Sequence, residues 1–376
     1  MPQDNSAFGV SDTDVFVVVL PQGGVTMPLS RREVLAALGL GIVTGDLQGE
    51  FERALDSVEP DGDVIHFLQD AFHGFKEAAR TLPPHRLIGG MVGNVAILDG
   101  LRRRSVGEDQ HRCGTLQSYY AETLSWLSVE AGDLQGAMWW IDHASQWAQA
   151  AGWSGMTAWG FIRRSVRVMS FSGEGLRVVD QARPVLEMAQ VSLRMKGLAA
   201  KQIAYRCALV GDRDASRRAL DSAMDWLVQP VREDNAVLQR SVADDDLFVV
   251  YQTTCDVYFG RGVQVIPVLE PRMRSLAKSL RTATITRVKL ARAYANAGQP
   301  EQACQVAWET LDAIGHVGSL SARNELLRAV PFLNRWHGRG DVQEIVHRLG
   351  TQPCINHVRY VILSDSSDIS TSVDRR

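Results

Sequence analysis

Apolar positions recur along this chain in two rhythms. The first is short: Val15-Phe16-Val17-Val18-Val19-Leu20 runs unbroken, Pro21-Gln22-Gly23-Gly24 follows, and Val25-Thr26-Met27-Pro28 resumes. β-Branched runs bounded by Pro and Gly predict two strands and a turn, a small β-hairpin. A lone hairpin is marginal in water, so this one is expected to pack on the helices that follow. From Arg31 onward the rhythm becomes helical, with apolar residues three and four apart. Ser30 is placed to cap a helix in which Leu35, Leu38 and Ile42 share one face. Phe51 to Val58 extends the apolar stripe, Val64 to Thr81 is amphipathic up to Pro83-Pro84, and Leu87 to Arg104 predicts another helix. The polar ends, 1–12 and 364–376, predict loose segments.

Residues 119–152, YYAETLSWLSVEAGDLQGAMWWIDHASQWAQAAG, read as a helix, a Gly-Asp turn and a second helix. This unit resembles a tetratricopeptide repeat. With Gly132 as the turn glycine, Leu124 takes the large packing position of the first helix, and Ala137, Ile141 and Ala144 the small-large-small positions of the second. Residues 287–311 fit likewise, with Leu290, Tyr294, Gly298, Ala303 and Ala307 in the matching places. Weaker copies turn at Gly173, Gly211, Gly260 and Gly338, at intervals of about 40 residues against 34 for a standard repeat. The copy over 246–280 is poorly formed, and Asp244-Asp245-Asp246 reads as a solvated loop capping the next helix. The expected fold is all-α, a tetratricopeptide-like helical-repeat superhelix with a small N-terminal β-hairpin. Its expected parts are a hairpin segment at 1–30, capping helices at 31–112, repeats at 113–350 and a tail at 351–376.

Composition narrows the function classes. The 376 residues carry a net charge of −3, with 45% apolar and 22% charged side chains. Near-neutrality argues against a constitutive nucleic-acid binder, which needs a basic excess. No run approaches the roughly 20 apolar residues of a membrane helix. Cys113, Cys207, Cys255, Cys304 and Cys354 are odd in number, with no metal-ligand spacing. Reduced, mostly buried thiols in the cytoplasm are the simplest reading. Ser30-Arg31-Arg32-Glu33-Val34-Leu35 resembles a twin-arginine export signal, but no small-residue cleavage site follows, so a capped helix is expected instead.

Catalytic motifs do not assemble. Gly39-Leu40-Gly41 with Gly45 lacks the strand that a dinucleotide loop follows. Ser275-Leu276-Ala277-Lys278 lacks the companion motifs of penicillin-interacting enzymes. No catalytic residue, metal site or cofactor is expected. Six tryptophans, Trp126, Trp139, Trp140, Trp147, Trp153 and Trp159, crowd one stretch and predict either heavy packing or an aromatic wall. Repeat geometry is more specific. In such arrays the first helix of each pair lines the concave groove, two residues either side of its large packing position. That count selects Glu122 and Trp126, Arg163 and Arg167, Lys201 and Tyr205, Val288 and Arg292 with Asn296, then Arg328 and Phe332. Such a basic and aromatic row suits a carboxylate-bearing ligand or an extended peptide.

The repeat at 119–152, preceded by the hairpin and SRREVLAALG, resembles the tetratricopeptide-like C-terminal half of actinobacterial XRE-family regulators. Those proteins also carry an N-terminal helix-turn-helix, which the strand-like residues 1–30 do not supply. The resemblance therefore implies the sensory and dimerising half, with no direct DNA binding. The expectation is a cytoplasmic, non-enzymatic regulatory or sensor protein. It would bind a peptide, a small acidic ligand or a protein partner in its groove, with homodimerisation among its expected associations. The alternative is a protein–protein scaffold or adaptor with no small ligand.

Overall fold

The computed structural model describes residues 15–19, 26–30, 62–153, 155–171, 175–229, 244–276, 279–351 and 358–362. Helices dominate them. Among the described residues two helices precede the paired region, α1 (Gly62–Ala78) and α2 (Ile88–Arg104), with a 3-10 turn at Pro84–Arg86 between them. Six helix pairs follow. They are α3 (Gly107–Ala131) with α4 (Leu134–Ala150), α5 (Gly155–Phe171) with α6 (Gly175–Glu187), and α7 (Leu193–Leu209) with α8 (Arg213–Leu227). Next come α9 (Asp244–Tyr258) with α10 (Gly262–Leu269), the short α11 (Met273–Leu276), α12 (Leu280–Asn296) with α13 (Pro300–Val317), and α14 (Leu320–Leu333) with α15 (Gly340–Thr351).

The expected turn glycines explain why the chain reverses where it does. Gly132 and Gly211 have φ of 90° and 83°, and Gly260 and Gly298 are left-handed too. A side chain resists that conformation, and glycine ends the preceding helix at little cost. An aspartate then starts the second helix: Asp133 accepts from the Gly136 amide at 2.8 Å, and Asp212 from Ala215 at 3.0 Å. Each carboxylate satisfies an N–H that the first helical turn leaves open. The packing positions read from sequence are buried: Leu124, Ala137, Ile141, Ala144, Leu290, Tyr294, Ala303 and Ala307. Small residues where helices cross let the backbones approach. Thus Ser125 Oγ reaches Ala137 O at 2.8 Å, and Ser216 Oγ reaches Ala204 O at 2.9 Å.

Two expectations change. The three aspartates at 244–246 do not form a loop; α9 begins on them. Acidic residues suit a first helical turn, where the helix dipole is positive. The small N-terminal hairpin expected from sequence is not seen as a two-stranded unit either. β1 (Val15–Val19) runs antiparallel to β2 (Thr26–Ser30), and β3 (Val358–Ile362) lies parallel along its other edge, giving the order β2-β1-β3. A third strand covers an edge that a hairpin leaves open, and a parallel partner has to come from a remote part of the chain. β2 abuts α2. The turn expected at Pro21–Gly24, the helix expected from Arg31, the turn at Gly173, and Cys354 lie outside the described residues.

The stacking order carries the site. Each first helix packs on the next, in the series α3, α5, α7, α9, α12, α14. Each second helix also packs on the first helix of the pair that follows. The series then returns on itself, because α14 contacts both α3 and α5. The first helices thus form a closed ring, with an inner face built from one side of each.

Candidate functional site

Along the inner face runs a belt of charge with one buried carboxylate at each end. At one end the Glu122 carboxylate is buried, with its side chain 3% exposed. It accepts from Arg163 Nε at 2.6 Å and from Trp159 Nε1 at 2.7 Å, and the Arg163 guanidinium lies 5.0 Å from the Trp159 ring. Lys76 of α1 faces the same pair, and burial lowers its pKa against the raising effect of Glu122. At the other end Glu325 accepts from Arg328 at 3.0 Å and sits 3.8 Å from Arg292. Arg292 is buried, sandwiched between Tyr258 at 5.1 Å and Phe332 at 4.7 Å. Its Nε has no hydrogen-bond partner among the described residues. Burial also lowers the Arg292 pKa, against the opposing pull of Glu325.

Between the two ends lie two lysines. Lys289 Nζ donates to Thr254 Oγ1 at 2.8 Å and stands 5.7 Å from the Tyr205 ring. Lys201 Nζ stands 5.6 Å from that same ring and 4.8 Å from the Tyr251 ring. Tyr205 meets Tyr251 and Tyr258 edge-on, which holds the three rings as one wall. Among the described residues no carboxylate pairs with either amine. Burial, then Lys289, then Arg163 lower the Lys201 amine to about 7. Burial lowers Lys289 as well, although Glu325 works in the opposite direction. The Tyr205 and Tyr258 phenols are pushed well up, chiefly by burial, and stay protonated.

The residues read from sequence fall into distinct places. Glu122, Arg163, Lys201, Tyr205, Arg292 and Arg328 share the belt. Trp126 instead lies 5.2 Å from the Arg281 guanidinium. Asn296 is spent on the backbone, donating to Val257 O at 3.1 Å. Arg167 is half-buried, with its Nε unpaired among the described residues. Val288 is in the core, and its neighbour Lys289 reaches the belt in its place. Sequence counting missed Lys289, Tyr251, Thr254, Tyr258 and Glu325.

The tryptophan cluster is mostly packing. Trp140 is buried, while Trp139 stacks on His143 with centroids 3.7 Å apart, and His143 Nδ1 bonds Trp139 O. No group of metal-ligating side chains occurs among the described residues. A separate cleft of about 420 Å³ lies between α1 and α3, floored by Ile65, Phe72 and Leu116. Its one arginine, Arg112, is already 3.3 Å from Asp109. The belt is therefore the stronger site for an anion. A charge in an apolar setting interacts more strongly with an opposite charge than it would in water, because little water competes.

No family model matches this chain, and no curated protein matches it.

Proposed function

We propose that this chain is a non-enzymatic sensor or regulatory module that binds a small anionic ligand on the inner face of its helical ring. The observation that carries this reading is the Lys201–Lys289 pair, flanked by Tyr205 and Tyr251 and lacking a carboxylate partner among the described residues. Arg163 pairs with Glu122 while Arg292 and Arg328 share Glu325, so with Lys289 the belt carries more positive than negative charge among the described residues. Closure of the ring favours a compact ligand, or the acidic end of a peptide, over a long peptide lying in an open groove. On this reading the helix pairs are tetratricopeptide-like repeats. The resemblance to the sensory half of XRE-family regulators then routes any effect on transcription through a DNA-binding partner in the cytoplasm.

The test is thermal unfolding of the full chain against a panel of carboxylates, phosphate esters and acidic peptides. A ligand at one hundred times its Kd stabilises a protein by about 2.7 kcal/mol. The Lys201→Met/Lys289→Met double variant should lose that shift. Equal shifts in both proteins, or no shift from any anion, would overturn the reading, and a stably co-purifying partner without ligand shifts would favour a scaffold.

A further inference from the structure

We infer that Lys201 is a nucleophilic amine that captures the carbonyl group of an anionic 2-oxo acid as a reversible imine. The inference rests on the anion-binding reading above and names the ligand class for the same site. Three features of the geometry point to it. Lys201 Nζ has no hydrogen-bond acceptor among the described residues, and its contacts are the Tyr205 and Tyr251 rings. Lys289 lies over the same Tyr205 ring and is fixed by Thr254, so a second positive centre stands beside the first. The polar groups around them are the phenols of Tyr205 and Tyr251, the Thr254 hydroxyl, the Cys255 thiol, the Arg163 guanidinium and the Glu325 carboxylate, which acts on Lys289 from a distance; among the described residues no carboxylate forms an ion pair with either amine.

An amine that is desolvated beside another cation gives up its proton readily, and the free amine is the nucleophile. The lowering of Lys201 to about 7 by burial, Lys289 and Arg163 agrees with this placement. In the reaction the Lys201 nitrogen lone pair forms a bond to the carbonyl carbon. The carbon–oxygen π pair moves to oxygen, which takes up a proton, while nitrogen loses one. Loss of that oxygen as water leaves the carbon–nitrogen double bond. Amine and carbonyl thus give imine and water, with no change of oxidation state. The ligand carboxylate meets the Lys289 ammonium, whose donor position is set by Thr254. A ligand with an anion and a carbonyl on adjacent carbons would satisfy both lysines at once.

The experiment uses the full chain and pyruvate as the probe, with borohydride reduction, intact mass and peptide mapping. One reduced adduct per chain is expected, on the peptide that holds Lys201. Lys201→Arg should abolish it, and acetone, which lacks the carboxylate, should give roughly tenfold less, as for loss of one charge-assisted contact. Adduct spread over other lysines, such as Lys196, would overturn the inference. A pyruvate-induced thermal shift with no trapped adduct would also overturn it, while leaving the anion site standing. No shift and no adduct would count against both.

Discussion

Ser319 Oγ donates a 2.6 Å hydrogen bond to Glu130 Oε2 across 189 residues of chain. The bond joins the N-cap of α14 to the last turn of α3, where the ring closes. Arg281 completes the junction. Its guanidinium lies 3.5 Å from Glu130 and donates to Leu82 O at 2.9 Å and Val317 O at 2.7 Å. One buried arginine therefore ties the α1–α2 connection, the start of α12 and the end of α13 to one carboxylate.

Removing either partner strands the other. Glu130→Ala leaves a buried guanidinium without its counter-charge, and breaking a buried pair costs about 3–5 kcal/mol. Urea unfolding should show a loss of that order. Arg281→Met should cost a similar amount, because it leaves the buried Glu130 without its counter-charge and removes the donor to several carbonyls at once. The double variant should lose less than the two losses combined. A change within about 0.5 kcal/mol for either single variant would mean that the junction does not hold the ring.

Gly262 starts α10 directly against α12. A Cβ there would overlap Ala293 O and come within 2.8 Å of Ala297 N. Both obstacles are backbone, so no side chain can swing aside. Gly262→Ala is expected to destabilise the protein by about 1–3 kcal/mol, the usual cost of overpacking. A lowered thermal midpoint would show it. The neighbouring Gly260 has room for a Cβ but a φ of 79°, so a loss there would report strain in the turn instead.

Lys201 should leave a mark on stability against pH. Its amine titrates near 10.5 when free and about 7 in the fold, with burial the main cause and Lys289 and Arg163 adding to it. Between those values the unfolded chain holds a proton that the folded chain lacks, so stability rises with pH. Below about pH 7 both states are protonated and the penalty is full; above about 10.5 it is gone. Lys201→Met removes this dependence. The stability of wild type relative to the variant should therefore climb from pH 7 towards 10, measured as urea midpoints. Parallel profiles for the two proteins would contradict the lowered amine.

Much of the scaffold can be read from local pattern. Gly132, Gly211, Gly260 and Gly298 sit at the ends of helices whose apolar stripes repeat at helical spacing, and each is left-handed. Arg163, Lys201 and Arg292 were within reach because each lies a fixed count from a packing residue. The rest of the belt lay beyond that method. In α12 the belt takes Lys289 and Arg292, three apart, so counting two residues either side of Leu290 lands on Val288 instead. In α9 the repeat pattern is too faint to set a register, which hid Tyr251, Thr254 and Tyr258. Ring closure has no local signature at all. Arg281 and the carbonyl of Leu82 are separated by 199 residues, and nothing in either stretch encodes the other.

The closed ring also constrains how such a protein can change. An open stack of helix pairs tolerates a unit more or less at either end, since each unit meets only its neighbours. Here the last first-helix rests on the first one. Inserting or deleting a unit of about 40 residues would pull Ser319 away from Glu130 and open the junction. The number of units is thereby locked, while the side chains lining the interior remain free to vary one at a time. On the proposed reading, any change in what the ring binds comes from substitution at positions such as Lys201 and Tyr251 and not from a change in its length.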